Sequence, residues 1–328
     1  MAIETPWDRM HEVEDFGELD EAWAGTRVEW LEVAGTRTRL LRRDGAADGP
    51  LVLLVHGLGG SAPNWLEVME PLTAIGDVVA LDLQGFGEAA PPRPTSSRPA
   101  ANARFVATVL HALDAGPAVV VGNSMGGLVS TLLAGEHPDM VDHLVLLCPA
   151  LPPWLPGVRL SKFQLSSFGP FLVPGLGPWL QRRRVRRMTF EEQYREMMRG
   201  LVPDTDVTPE RMVQVGIANL ARLKQLKWRG AAFSEATNGL FEHQLGPGRS
   251  RTITAMEQVA APTLYIRGAV DPLVLGATTA MVERVRPDWV IETPDDIGHV
   301  PMIEAAEWTG ERIVRFVHGA SVSHLRAG

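Results

Sequence analysis

The chain has 328 residues, 45% of them hydrophobic and 21% charged, with a formal net charge of -8. That length and apolar content suffice for a large buried core and exclude a disordered chain, while the negative balance argues against nucleic acid as the partner. Cys148 is the single cysteine, which excludes an intramolecular disulfide and a cysteine-based zinc site.

The first 25 residues are acidic and contain no apolar h-region, so they read as an N-terminal extension without a secretory signal. No run of about 18 apolar residues occurs, so no membrane span is expected and a cytoplasmic protein is the default. "VEWLEV" and "TRTRLLRR" then predict two paired strands. They are followed by "PLVLLVHG", "DVVALDLQG", "PAVVVGN", "DHLVLLCP", "PTLYIRG" and "DWVIETP". The middle runs are continuously apolar, as in strands covered on both faces. Helix-length segments at 64–75, 99–114, 125–136, 277–285 and 301–317 lie between most of them. Strand and helix alternating in this way predict an α/β fold with a parallel sheet. Cys148 ends "HLVLLCP" and reads as a buried thiol.

The alternation breaks between about Leu151 and Arg251, where no β run is found. Residues 152–252 carry 16 Lys+Arg against 8 Asp+Glu, and the remainder carries 15 against 31. The segment is read as a basic, mainly helical cap inserted between two core parts, 26–151 and 253–328. Its stretch "WLPGVRLSKFQLSSFGPFLVPGLGPWLQRRRVRR" sets Trp154, Phe163, Phe168, Phe171 and Trp179 beside the arginines at 182–187. The preferred reading is that the aromatics roof an apolar pocket. The alternative is weak contact with an anionic membrane surface.

Gly122-Asn123-Ser124-Met125-Gly126 fits G-x-S-x-G, after a predicted strand and before a predicted helix. A turn that sharp lifts the central hydroxyl above the sheet, and the glycines spare neighbouring backbone a collision with a Cβ. Ser124 is therefore a candidate nucleophile, weighed against a helix N-cap in a Gly/Ser turn. A serine nucleophile needs a base, and the base an orienting carboxylate. Asp271 in "RGAVDPLV" and His299 in "DDIGHVPMIE" follow the last two predicted strands, so a parallel sheet brings all three to one edge. Asp295 and Asp296 are rival acids, but stand too close in sequence to His299 to orient it.

In "LVHGLGGSAPNW" a glycine-rich loop follows another strand. Backbone amides of Leu58 and Met125 are the candidate oxyanion donors, and His56 is expected to turn the loop by hydrogen bonding. Gly57, Asn123, Phe168, Phe171 and Val300 are candidate pocket residues. Gly57, Gly59 and Ala62 also match a dinucleotide fingerprint, with Asp82 where a ribose-binding acid would stand. That reading leaves Ser124, Asp271 and His299 unexplained. No cofactor or metal ligand set is assigned.

"HGLGG", "LDLQGFGEA", "GNSMGG", "GAVDPLV" and "GHVPMIE" in this order resemble the α/β-hydrolase superfamily over roughly 28–150 and 255–318. The resemblance implies an eight-stranded, mostly parallel sheet with helices on both faces, a helical cap after the sixth strand, and no cofactor. It also implies a serine hydrolase, here with Ser124, Asp271 and His299 as its triad. "GNSMGG" looks like the elbow of carbon–carbon hydrolases acting on vinylogous diketones, but those place Trp where this chain has Val300. Epoxide hydrolases and haloalkane dehalogenases use an aspartate nucleophile, which Ser124 excludes, and epoxide opening uses cap tyrosines where the cap holds only Tyr194. A non-enzymatic binding protein on this fold usually lacks a triad member. The expectation is a small carboxylic ester with an apolar part as substrate.

Overall fold

The computed structural model describes residues 5–157, 183 and 188–319. The β-branched and leucine runs form eight strands. They are β1 (Arg27–Val33), β2 (Thr36–Arg43), β3 (Val52–Val55), β4 (Val78–Leu81), β5 (Ala118–Asn123), β6 (Val141–Leu147), β7 (Thr263–Ile266) and β8 (Val290–Glu292). Their order in the single sheet is β1-β2-β4-β3-β5-β6-β7-β8. β2 pairs antiparallel with both β1 and β4, and every other pairing is parallel. The β1–β2 hairpin turns through Ala34 and Gly35, both at positive φ (51° and 72°), the primed-turn geometry that matches strand twist.

All residues of β3, β4, β5 and β7 are buried, which is why their sequences do not alternate. Within them the period of two still sorts side chains to opposite faces. Leu54, Ala80, Val121 and Leu264 join one apolar cluster, and Leu53, Val79, Val120 and Tyr265 the other. Helices cover both faces: α1 (Leu66–Leu72), α2 (Pro99–Ala112), α3 (Met125–Glu136), then α4 (Phe190–Arg199), α5 (Glu210–Leu223), α6 (Arg229–Leu245), α7 (Arg249–Gln258), α8 (Gly276–Val285), α9 (Pro301–Glu304) and α10 (Ala306–Val317).

Two boundaries differ from the sequence reading. Residue 252 falls inside α7, and that helix packs on α3 so closely that a Cβ on Gly135 would collide with the Ala255 backbone. The whole of α7 therefore belongs with the core. The described part of the acidic 1–25 stretch, read as an extension, also packs on the core. Along three short 3-10 turns and the residues between them, Met10, Val13, Phe16 and Trp23 are buried in the same cluster as Tyr194, Met198 and Met212 from the segment between β6 and β7. Met10, Val13 and Phe16 stand three apart, but so few apolar positions among acidic residues are too short a run to mark an amphipathic element. None of the described helices is long and apolar enough to cross a membrane.

Candidate active site

The parallel register sets the site. Val55 aligns with Gly122, Asn123 with Leu147, Leu147 with Ile266, and Ile266 with Glu292. The loops that begin at His56, Ser124, Cys148 and Arg267 therefore leave one edge of the sheet together, at its carboxyl end.

Ser124 stands between β5 and α3 at φ 54° and ψ -117°. A non-glycine residue held there costs about 1–3 kcal/mol. The surroundings hold it: its N–H donates to the Leu147 carbonyl (3.0 Å), and its carbonyl accepts from the Ala150 N–H (2.9 Å). A Cβ on Gly122 would lie 2.5 Å from the Gly126 carbonyl oxygen, and one on Gly126 would collide with the Val55 carbonyl. Both glycines are thus required by close approach of β3, β5 and α3. Met125, fully buried, opens α3, and the first amides of a helix have no acceptor within it.

Asp271 and His299 meet as a buried pair, with His299 Nδ1 2.9 Å from Asp271 Oδ2. The other carboxylate oxygen accepts from the N–H groups of Leu273 (2.7 Å) and Val274 (3.0 Å). Burial pushes the Asp271 carboxyl up, but His299 and these two amides outweigh it and hold the group below its ordinary range. The carboxylate accepts, so Nδ1 carries the proton and Nε2 is left with its lone pair. Asp295 and Asp296 are exposed, so Asp271 is the acid that the fold pairs with His299.

The glycine loop is fixed from below by two buried groups. His56 Nε2 accepts from the Leu83 N–H (3.1 Å), which requires the proton on Nδ1, and Nδ1 donates to the Gly57 carbonyl (2.8 Å). Burial lowers the His56 pKa and keeps the ring neutral, as this double role demands. The Gly57 carbonyl also accepts from the Gly60 N–H (3.1 Å). Because the peptide is planar and trans, anchoring this carbonyl turns the Leu58 N–H the opposite way. Gly57 borders the nucleophile: a Cβ there would lie 3.1 Å from the Ser124 Cβ.

Asp82 is the second anchor. It accepts from the Ala62 N–H (2.7 Å), the Glu88 N–H (2.9 Å) and Arg39 Nε (3.2 Å), and it is fully buried. These bonds tie the glycine loop to the loop after β4 and occupy, in a buried setting, the carboxylate that a ribose would need, which argues against the dinucleotide reading.

Asn123, expected to line a pocket, is buried and holds two loops together. It is 3% exposed, and its amide nitrogen donates to the carbonyls of Leu147 (3.1 Å) and His299 (3.0 Å). It links the strand that ends at Ser124 to the histidine loop. Val300 is likewise buried, within the cluster that holds Met302 and Ile303. Phe163, Phe168, Phe171 and Trp179 lie outside the described residues, as do Arg182, Arg184, Arg186 and Arg187. Arg183 is exposed. Trp154 is half-buried with Arg284 over its ring at 4.5 Å. The helical segment between β6 and β7 reaches the glycine loop through Phe233, 3.3 Å from a Cβ on Gly59, and through Asn219, whose amide donates to Ser61 Oγ (2.9 Å).

Cys148 is buried, as its sequence position suggested, and its thiol donates to the Gly298 carbonyl at 3.2 Å. Its sulfur, Asp271 and His299 place three possible metal-ligand atoms within 4.8 Å of one another. Burial and the Asp271 carboxylate push the thiol pKa well up. A thiol that resists deprotonation is a poor metal ligand, so the cluster fits a carboxylate–imidazole pair beside a neutral thiol.

Residues 50–306 match the alpha/beta hydrolase fold family. The chain is 29% identical over 307 residues, covering 93% of itself and 70% of the relative, to the dihydrolipoyllysine-residue acetyltransferase component of the acetoin cleaving system of Cupriavidus necator. It is 23% identical to Lipase 1 of Psychrobacter immobilis, over 88% of this chain and 83% of that one. Among solved structures, a membrane phospholipase A described as a bacterial virulence factor superposes with a TM-score of 0.71 at 24% identity, covering 90% of this chain and 86% of that one. With its eight-stranded mostly parallel sheet and its serine turn after the fifth strand, the chain belongs to the alpha/beta hydrolase family.

Proposed function

We propose that the protein is a cofactor-independent serine hydrolase of carboxylic esters with an apolar part, working through an acyl-enzyme on Ser124. The observation that carries the reading is the buried Asp271–His299 pair at 2.9 Å, on the sheet edge where Ser124 is displayed. Asn123 ties that histidine's carbonyl to the residue before the serine. Similarity to a lipase over most of both chains agrees with it.

His299 Nε2 takes the proton as Ser124 Oγ attacks the ester carbonyl. The Met125 and Leu58 amides receive the oxyanion, a contribution of about 10²–10³ in rate for one such donor. His299 then protonates the leaving alkoxide. Water, deprotonated by the same nitrogen, releases the acid. Labelling by a fluorophosphonate probe tests this directly, since the probe captures an activated serine and Ser124→Ala removes it. Absence of labelling in the wild-type protein would refute the proposal.

A second reading draws on the 29% identity to an acetyltransferase component. The same acyl-enzyme would pass its acyl group to an alcohol or thiol in place of water. Product analysis of an ester reaction with an added thiol or alcohol separates the two: transfer diverts the acyl group into a new ester or thioester, hydrolysis yields free acid alone.

A further inference from the structure

The backbone around His299 is captured at every polar group the structure describes. Its own N–H donates to the Leu201 carbonyl of the cap (2.8 Å) and its carbonyl accepts from Asn123. The Gly298 carbonyl accepts from the Cys148 thiol. The amides on either side of the histidine both go to one carboxylate: the Gly298 N–H donates to Glu304 Oε2 (2.8 Å) and the Val300 N–H to Glu304 Oε1 (2.9 Å). A side chain that only capped α9 would take the Val300 amide, since Val300 is its N-cap. The second oxygen instead reaches back across His299 to Gly298.

We propose that Glu304 is a positioning residue for His299. It holds the two flanking amides in one bidentate grip, and its negative charge favours the imidazolium that forms during acyl transfer. The proposal rests on His299 being the general base. Burial pushes the Glu304 carboxyl pKa up in spite of two amide donors, so the ionised form is disfavoured where it sits. An apolar side chain at the end of α9 would avoid that penalty but would leave two amides of the histidine loop without an acceptor. Asp271, beyond the imidazole, opposes the Glu304 charge, while His299 favours it.

The test compares the wild-type protein, Glu304→Gln, Glu304→Ala and Ser124→Ala on one soluble ester. Glutamine keeps the shape and one acceptor oxygen but drops the charge. We expect Glu304→Gln to lower kcat about tenfold and Glu304→Ala about a hundredfold, the scale of a misplaced reacting group, with KM within about twofold. The acid limb of the kcat/KM profile should move to lower pH in Glu304→Gln, because the imidazolium loses a nearby anion. A folded Glu304→Gln with kcat within about twofold of wild type, or with its acid limb unmoved, overturns the proposal even if its thermal stability falls. Should Glu304→Ala fail to fold, the isosteric Gln variant decides alone. An inactive Ser124→Ala beside an unchanged Glu304→Gln sinks only the role of Glu304. A Ser124→Ala as active as wild type sinks the serine-hydrolase reading and this role with it.

Discussion

Asp271→Asn separates the chemical role of the buried pair from its structural role. Asparagine is isosteric, and its carbonyl oxygen can keep the bonds from the Leu273 and Val274 amides (2.7 and 3.0 Å). Its NH2 then faces His299 Nδ1 across 2.9 Å. Two donors cannot share that contact, so Nδ1 must become the acceptor and the proton moves to Nε2. A histidine in that tautomer cannot take the Ser124 proton. In the serine protease template the same exchange lowers kcat by about 10⁴, or about 5.5 kcal/mol of transition-state stabilisation. We expect a loss of three to four orders of magnitude in kcat, with little change in the near- or far-ultraviolet circular dichroism. Asp296→Asn, at an exposed site, should stay within about tenfold. Steady-state ester hydrolysis by the two variants provides the comparison. A folded Asp271→Asn within tenfold of wild type, or an Asp296→Asn that is the worse of the two, would refute the tautomer argument.

Three further outcomes follow from the same contacts. His56→Leu removes the partner of both the Gly57 carbonyl and the Leu83 amide, so kcat should fall about a hundredfold, and denaturant unfolding should show a loss of about 2 kcal/mol. Because the Asp271 carboxyl is held below the 3.8 of a free one, its ionisation stabilises the fold above that pH. The stability of wild type over Asp271→Asn, measured by denaturant titration at several pH values, should therefore shrink as the pH falls through the folded-state pKa. If the aromatics and arginines of 152–187 form a pocket roof, sedimentation at low salt should show no preference for anionic over zwitterionic vesicles. A clear preference would favour the lipid-surface reading.

The sheet and its order of loops are legible in the sequence. Glycines framing Ser124, with apolar runs before and after, signal a strand-to-helix turn because so few backbones tolerate it. Asp271 and His299 stood out because each follows a strand, and parallel strands bring their ends together. What periodicity could not reveal was long-range capture of polar groups. Asp82 stands where a ribose-binding acid would in the rival reading, yet its carboxylate accepts from Arg39 and two amides. Asn123 is a candidate pocket residue by sequence, and nothing there signals that its amide nitrogen donates to two backbone carbonyls. Glu304 carried no signal beyond its place in "GHVPMIE", since its partners are amides and an amide has no residue type. The packed start of the chain is hidden for another reason: Met10, Val13 and Phe16 stand three apart but are too few, among acidic residues, to mark an element.

The central claim is that Ser124 is a nucleophile activated by His299. Mass spectrometry of the intact protein after fluorophosphonate treatment, followed by peptide mapping, tests it most directly. One adduct on the peptide containing Ser124, absent in Ser124→Ala and strongly slowed in Asp271→Asn, is the predicted result. An adduct on another residue, or labelling of Ser124→Ala at the wild-type rate, would contradict it.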